Sequence, residues 1–215
     1  MERWATFDCY GTLIDWNGGV RAELSRLFGE GRADERLARY HELEPELQRD
    51  GTLSYRDVVT EAMRRLGAPA GAEHGLADSL PGWRAFPEVH GALEELRARG
   101  WRLAILSNTD DDFIAASQVQ IGVPFDEIVV AQEISSYKPA HKHWEAFFER
   151  TRAPRAGHVH VAASQFHDIG PANELGLRSV WINRTGGAGS ARPTRELADL
   201  LALPETLDEL VPASA

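Results

Sequence analysis

The stretch TFDCYGTLIDW, residues 6–16, carries an apolar run straight into Asp8, and a turn-prone Gly11-Thr12 follows. A carboxylate at the mouth of a buried strand contributes little to a core, but ionised it is a nucleophile that can form a covalent ester with its substrate. Three more segments carry groups that could work with it. LAILSN ends in Ser107 and Asn108, SSYKP holds Lys138, and HVHVAASQFHD runs into Ser164, Gln165, His167 and Asp168. A lysine close to Asp8 would hold it ionised. Taken singly, each polar residue reads as the cap of a following helix. One hydroxyl–amide pair, one amine and two carboxylates, all just beyond apolar runs, are hard to explain as capping alone.

The elements that would position these groups can be read from the pattern. WATFDC reads as a strand, followed by helical segments RAELSRLFGE, ADERLARYHELEPELQRD and SYRDVVTEAMRRLG, with Gly31, Gly51 and the 67–75 region as punctuation. From Phe86 the texture changes. PEVHGALEELRARG predicts a helix with Pro87 near its start, a Val89, Leu93 and Leu96 stripe, and Gly100 as its stop. Strands at WRLAILSN, EIVVA, HVHVAA and RSVWIN then alternate with helices near 111–119, through HWEAFFER and over 169–175. Short strand–helix alternation means an α/β fold with a doubly wound parallel sheet. Residues 1–13 and 86–215 form its core, and 14–85 an inserted all-helical cap. The tail from GGAGSARPT reads as a loop plus a final helix or two. In such a sheet ligands bind beyond the carboxyl ends of the strands, where the four segments converge.

Composition narrows the function classes. The chain has 215 residues, 43% hydrophobic and 26% charged, with a formal net charge of −10. That acidic balance repels a phosphate backbone and argues against nucleic acid as a partner. No apolar run is long enough for a bilayer and no secretion signal opens the chain, so a cytoplasmic protein without membrane attachment is expected. The single cysteine, Cys9, allows no internal disulfide; strand alternation points it away from Asp8, into the core. His158 and His160 alternate along one strand and read as packing residues, since no third metal ligand accompanies them. Asp110-Asp111-Asp112 suits the dipole of the helix that follows, and Trp16 is a candidate wall of an apolar pocket.

The motifs FDCYGTL, LSN, YKP and HDIGPANELGLRSVWINR, in this order, resemble the haloacid dehalogenase superfamily of hydrolases, and within it the type II 2-haloacid dehalogenases. The resemblance spans nearly the whole chain and implies a Rossmann-like core under a helical cap. It implies that Asp8 attacks a substrate carbon, that Thr12 orients Asp8, and that Asp168 positions Lys138 or the hydrolytic water. Ser107 and Asn108 would hold the substrate carboxylate and cradle the halide. In LARYHELEPEL, Arg39 falls where these enzymes keep a halide-receiving arginine. The substrate would be a small anionic organic molecule, no cofactor would be needed, and dimers are usual among similar enzymes, so a homodimer is expected.

Phosphatases of the superfamily generally carry a second Asp two places after the nucleophile, to protonate the leaving alkoxide. Here Tyr10 stands there, which favours attack at carbon, because halide leaves without a proton. Other positions depart from the dehalogenase pattern: Ala163 and Gln165 replace Ser and Asn in the last acidic loop, Trp144 replaces a pocket tyrosine, and His167 adjoins Asp168. Opening of a strained carbon–nitrogen ring would use the same attack at carbon. The alternatives are a Mg2+-dependent phosphatase, with the ion on Asp8, the Tyr10 carbonyl and Asp168, and a non-catalytic relative that binds a small carboxylate.

Overall fold

A computed structural model describes residues 1–213. Its chain order is β1 (Arg3–Phe7), α1 (Trp16–Phe28), α2 (Glu30–Gln48), α3 (Tyr55–Arg65), α4 (Gly75–Ser79), α5 (Val89–Ala98), β2 (Trp101–Ser107) and α6 (Asp111–Ile121). There follow β3 (Glu127–Val130), α7 (Ala131–Ile134), α8 (Lys142–Thr151), β4 (His158–Ala162), α9 (Gly170–Glu174), β5 (Arg178–Ile182), β6 (Arg195–Leu197) and α10 (Leu203–Leu210).

All strands are parallel, in the order β3-β2-β1-β4-β5-β6. Strands covered on both faces are apolar almost throughout, and β1 and β4 are buried along their full length. The strand order reverses between β1 and β4, which opens a crevice at their carboxyl ends, and Asp8 is the residue after β1. One face of β1 and β4 carries Phe7, Val159 and Val161 into the main core with Cys9 beyond them. The other carries Trp4, which packs with Leu106, Trp144 and Phe147 beneath α8.

The four helices α1–α4 lie between two chain crossings that pair with each other. Asp15 N–H donates to Arg84 O at 2.9 Å and Phe86 N–H donates to Leu13 O at 3.0 Å. Across the divide, the Asp110 carboxylate accepts from the backbone N–H of Tyr55 (2.8 Å) and Arg56 (2.9 Å), so it caps α3.

Four local expectations are corrected. The break before α2 falls at Gly29, whose φ of +86° suits only glycine, and Gly31 lies within the helix. Asp110 serves the start of α3 in the inserted helices as well as standing before α6. The helix expected over 169–175 is present as α9, capped by Ile169 and Leu175, and what is corrected is its entry, a π-helical turn over Gln165–Ile169. The tail holds a sixth strand, β6, of three residues, too short to show a period-two pattern.

Candidate active site

Asp8 leaves β1 and enters a tight turn in which Leu13 N–H (2.8 Å) and Ile14 N–H (3.0 Å) both donate to Cys9 O. Gly11 at φ +86° lets the chain reverse there. The reversal returns Thr12 to Asp8: its hydroxyl donates to Asp8 Oδ2 at 2.9 Å and accepts from Ala163 N–H at 2.9 Å. The other oxygen, Oδ1, accepts from Lys138 Nζ at 2.9 Å. Both oxygens of the carboxylate are therefore oriented from opposite sides.

Lys138 is 2% exposed, and all three of its ammonium protons have acceptors. Besides Asp8 these are Leu106 O at 2.8 Å and Asp168 Oδ1 at 2.6 Å. Asn108 fixes the lysine's backbone: its Oδ1 accepts Lys138 N–H at 2.7 Å and its Nδ2 donates to Lys138 O at 3.0 Å. The same Nδ2 donates to Gln48 of α2 at 3.1 Å. Asp168 Oδ1 takes a second bond from His160 Nε2 at 3.0 Å, whereas Asp168 Oδ2 is buried with no partner among the described residues.

The electrostatics follow from one buried ammonium between two buried carboxylates. Burial opposes the charge on Lys138, but Asp168 and Asp8 outweigh it and raise its pKa. Burial also opposes ionisation of Asp168, yet Lys138 and the His160 bond hold that carboxyl well below the usual carboxylate range. For Asp8 burial is the larger influence, and the neighbouring Asp168 adds to it, so its carboxyl is raised against the pull of Lys138. The two carboxyls are pushed in opposite directions: Lys138 and His160 favour the ion at Asp168, whereas burial works against it at Asp8.

Above this row lies a cavity of about 250 Å³, lined among others by Asp8, Tyr10, Trp16, Glu44, Tyr55, Ser107, Lys138, His167 and Asp168. The Tyr10 hydroxyl bonds Ser117 Oγ at 2.9 Å and its ring stacks on Tyr55, so it forms wall rather than acid. Ser107 Oγ is buried without a partner among the described residues, a donor ready for a ligand oxygen. From the inserted helices, Trp16 stacks on His41 at 5.1 Å, and Glu44 accepts from the Tyr55 hydroxyl at 3.1 Å. Burial pushes Glu44 up to about 7 and His167 down to about 4, so a neutral imidazole sits beside Asp168.

Of the candidates named from sequence, Asp8, Thr12, Lys138 and Asp168 are joined by hydrogen bonds, with Tyr10, Ser107 and Asn108 at the cavity wall. Three are elsewhere. Arg39 is 55% exposed and paired with Glu42 at 2.5 Å on the outer side of α2. Trp144, 1% exposed, packs beneath the sheet edge-on to His160. Gln165 turns to the glycine-rich loop and accepts Ala191 N–H at 2.8 Å. Sequence reading missed His160, whose signal was the polar alternation His158-x-His160 in a strand otherwise apolar. It also missed Gln48, His41 and Tyr55, which only the packing of the helices brings to the cavity.

Most carboxylate oxygens of the site are already engaged by protein donors. Among the described residues, no group of three or more acidic, histidine or cysteine side chains is arranged for a metal. Asp8 Oδ1 and Oδ2 and Asp168 Oδ1 each accept a hydrogen bond already, and the carboxylates share a lysine ammonium. Asp168 Oδ2 and the Tyr10 carbonyl remain, and an ion there would have to draw Asp8 from its present bonds and complete its shell with water and substrate. No step below runs through a metal.

Comparison with known proteins agrees with this geometry. The family model described as haloacid dehalogenase-like hydrolase matches residues 7–182. Haloacetate dehalogenase H-2 of Moraxella sp. (strain B) is 30% identical over 193 residues, covering 85% of this chain and 86% of that protein. (S)-2-haloacid dehalogenase 4A of Burkholderia cepacia is 28% identical over 224 residues, covering 99% and 95%. Among solved structures, the L-2-haloacid dehalogenase of Xanthobacter autotrophicus with chloropropionic acid covalently bound superposes with a TM-score of 0.85 at 19% identity, over 99% of this chain and 100% of that one. With Asp8, Lys138 and Asp168 gathered at the reversal point of a parallel sheet and the family model matched over residues 7–182, the chain belongs to the haloacid dehalogenase-like hydrolases.

Proposed function

We propose that the protein hydrolyses the carbon–halogen bond of a small 2-halo acid through an ester on Asp8. The observation that carries this is a buried carboxylate oriented at both oxygens, with a tyrosine, its hydroxyl already bonded, where a leaving-group acid would stand. Asp8 Oδ attacks the carbon bearing halide, the C–O bond forms as the C–halogen bond breaks, and halide departs as an anion without a proton. Lys138 keeps Asp8 ionised before attack, and Thr12 aims it. The free Ser107 hydroxyl is placed to bind the substrate carboxylate. Water then attacks the Asp8 carbonyl carbon, passing a proton to Asp168 Oδ2. The alkyl C–O oxygen leaves as alkoxide and takes that proton, giving the 2-hydroxy acid and Asp8 as its carboxylic acid, which releases water's second proton to solvent and returns to the carboxylate.

Residues 14–85 serve as a cap over a core formed by 1–13 and 86–215, and the paired crossings at 13–15 and 84–86 are its hinge. Closing it would exclude water while the ester forms. The reading is metal-independent, and cytoplasmic action as a homodimer completes it; among the described residues, no helix is long and apolar enough to cross a membrane. The test is halide release from (S)-2-chloropropionate in chelator. Release that needs Asp8 and no metal supports the reading. Background release, with p-nitrophenyl phosphate cleaved only in magnesium, would replace it with a phosphatase.

A further inference from the structure

Asp168 is held by more than Lys138. Behind it, on the buried face of β1 and β4, runs a line of polar side chains that the nucleophile itself never touches. Thr6 is in register with His160 in the neighbouring strand, and His158 lies two residues back on the same face. Thr6 Oγ1 is 2.9 Å from His158 Nε2 and 2.8 Å from His160 Nδ1, and His160 Nε2 is 3.0 Å from Asp168 Oδ1. All three side chains are 0% exposed. Trp144 lies edge-on against His160 at 5.2 Å, and Phe147 and Phe148 close over His158 at 5.4 and 5.0 Å.

The donors in this line can be assigned. An ionised carboxylate only accepts, so His160 Nε2 must carry hydrogen. A neutral His160 then has a bare Nδ1, which can only accept, so the Thr6 hydroxyl donates to it. Having spent its proton, Thr6 Oγ1 accepts from His158 Nε2–H. His158 Nδ1 has no partner among the described residues, which suits a bare nitrogen in an aromatic nest better than a buried N–H. Burial holds the His158 imidazole well below its ordinary value, hence neutral. A second cation on His160, desolvated beside Lys138, would reverse both hydrogen bonds at Thr6 and leave an N–H on His158 with nothing to bond.

We propose that His158 and Thr6 lock His160 in its Nε2–H tautomer, making His160 a positioning residue that fixes Asp168 so that Oδ2 alone is left to receive the water proton. Two donors fill Oδ1, and the line ties the carboxylate's rotation to the sheet. The geometric part stands by itself; its consequence for turnover rests on the ester mechanism proposed above. It places the effect on one step. Ester hydrolysis, in which water gives its proton to Oδ2, depends on the tether, whereas attack by Asp8 does not.

Two measurements test this on the full chain. Long-range proton–nitrogen correlation spectra of histidine-labelled protein read the tautomer directly. The expected result is a neutral His160 with protonated Nε2 and bare Nδ1; an Nδ1–H tautomer or a cation at neutral pH overturns the proposal. Stopped reaction with (S)-2-chloropropionate, read by intact mass, follows the ester. His160→Leu should slow ester hydrolysis on the order of 10- to 100-fold, the loss typical when an outer partner of a working group is removed. It should leave the initial halide burst within about twofold, so that the ester accumulates. His160→Gln, whose amide can donate at the Nε2 position, should recover most of the rate, and Thr6→Val should resemble the leucine variant more mildly. Equal slowing of burst and hydrolysis, or no rescue by glutamine, would reduce His160 to a packing residue. Absence of any halide release by the wild type would sink the dehalogenase reading, while the spectra would still decide the tautomer.

Discussion

Replacing Lys138 with methionine tests the arrangement most severely, because the lysine is the only cation between two buried carboxylates. Its ammonium makes charged hydrogen bonds of 2.9 Å to Asp8 and 2.6 Å to Asp168, and a third bond to Leu106 O. Methionine fills much of the volume but offers none of these. Bonds to charged groups contribute about 1.5–3 kcal/mol each, and breaking a buried pair by removing one partner costs about 3–5 kcal/mol. We expect Lys138→Met to lower unfolding free energy by ~3–5 kcal/mol at pH 8. The pH dependence has a definite sign. In the wild type, Asp168 is held far below its unfolded value, so its stabilisation is present above the unfolded pKa and is lost only as pH falls through the lower folded one. In the variant both carboxylates lack a cation, and burial raises them. A carboxyl raised in the folded state loses stability as pH rises through that value. The gap between the two proteins therefore widens from pH 4 to pH 8. Urea titrations at four or five pH values measure it, with turnover falling on the order of 10²–10³-fold alongside. A gap below about 1 kcal/mol that ignores pH would refute the description of these groups as one interacting buried cluster.

Further outcomes follow from other contacts. Thr12→Val removes the hydroxyl from Asp8 and leaves Ala163 N–H without its acceptor, so about 1–3 kcal/mol of stability and at least ~10-fold in turnover should be lost. Arg39→Ala removes an exposed pair with Glu42 and should change stability by under about 0.5 kcal/mol and halide release by less than about twofold; a large loss would mean that α2 presents another face during the reaction. Glu44→Gln addresses a carboxyl raised by burial from 4.5 to about 7. The folded form binds the extra proton, so wild-type stability falls as pH rises through that window. The glutamine variant should be more stable than wild type by roughly 2–3 kcal/mol at pH 8 and equal to it at pH 4, as denaturant midpoints would show.

What could be read in the sequence was whatever the chain's local grammar controls. Asp8 and Ser107 stand at the ends of apolar strands, Lys138 and Asp168 lie in the loops just beyond theirs, and a parallel sheet brings such strand ends to one edge. Thr12 was named through the family resemblance alone, and the structure supplies the physical reason, a tight turn that returns its hydroxyl to Asp8. Residues whose place depends on helix rotation were not legible. Arg39 has the right spacing on α2, yet the face toward the cavity carries Glu44, Pro45 and Gln48, and the arginine faces water. Asn108 sits next to Ser107, but its amide serves the lysine's backbone. Trp144 and His160 lie on opposite elements and meet only when α8 folds under the sheet, so neither position alone shows that one presses on the other. The histidines of β4 looked like filling because the partner that gives them a role, Thr6, is more than 150 residues away in the chain.

The decisive measurement is a single turnover with enzyme in excess over (S)-2-chloropropionate, run in water enriched in heavy oxygen, followed by digestion and mass analysis. If Asp8 is esterified and water opens the ester at the carboxyl carbon, the peptide bearing Asp8 gains one heavy oxygen and the first hydroxy acid released carries none. Label in the product with Asp8 unchanged would mean that water attacks the substrate directly, and the role assigned to Asp8 would be wrong.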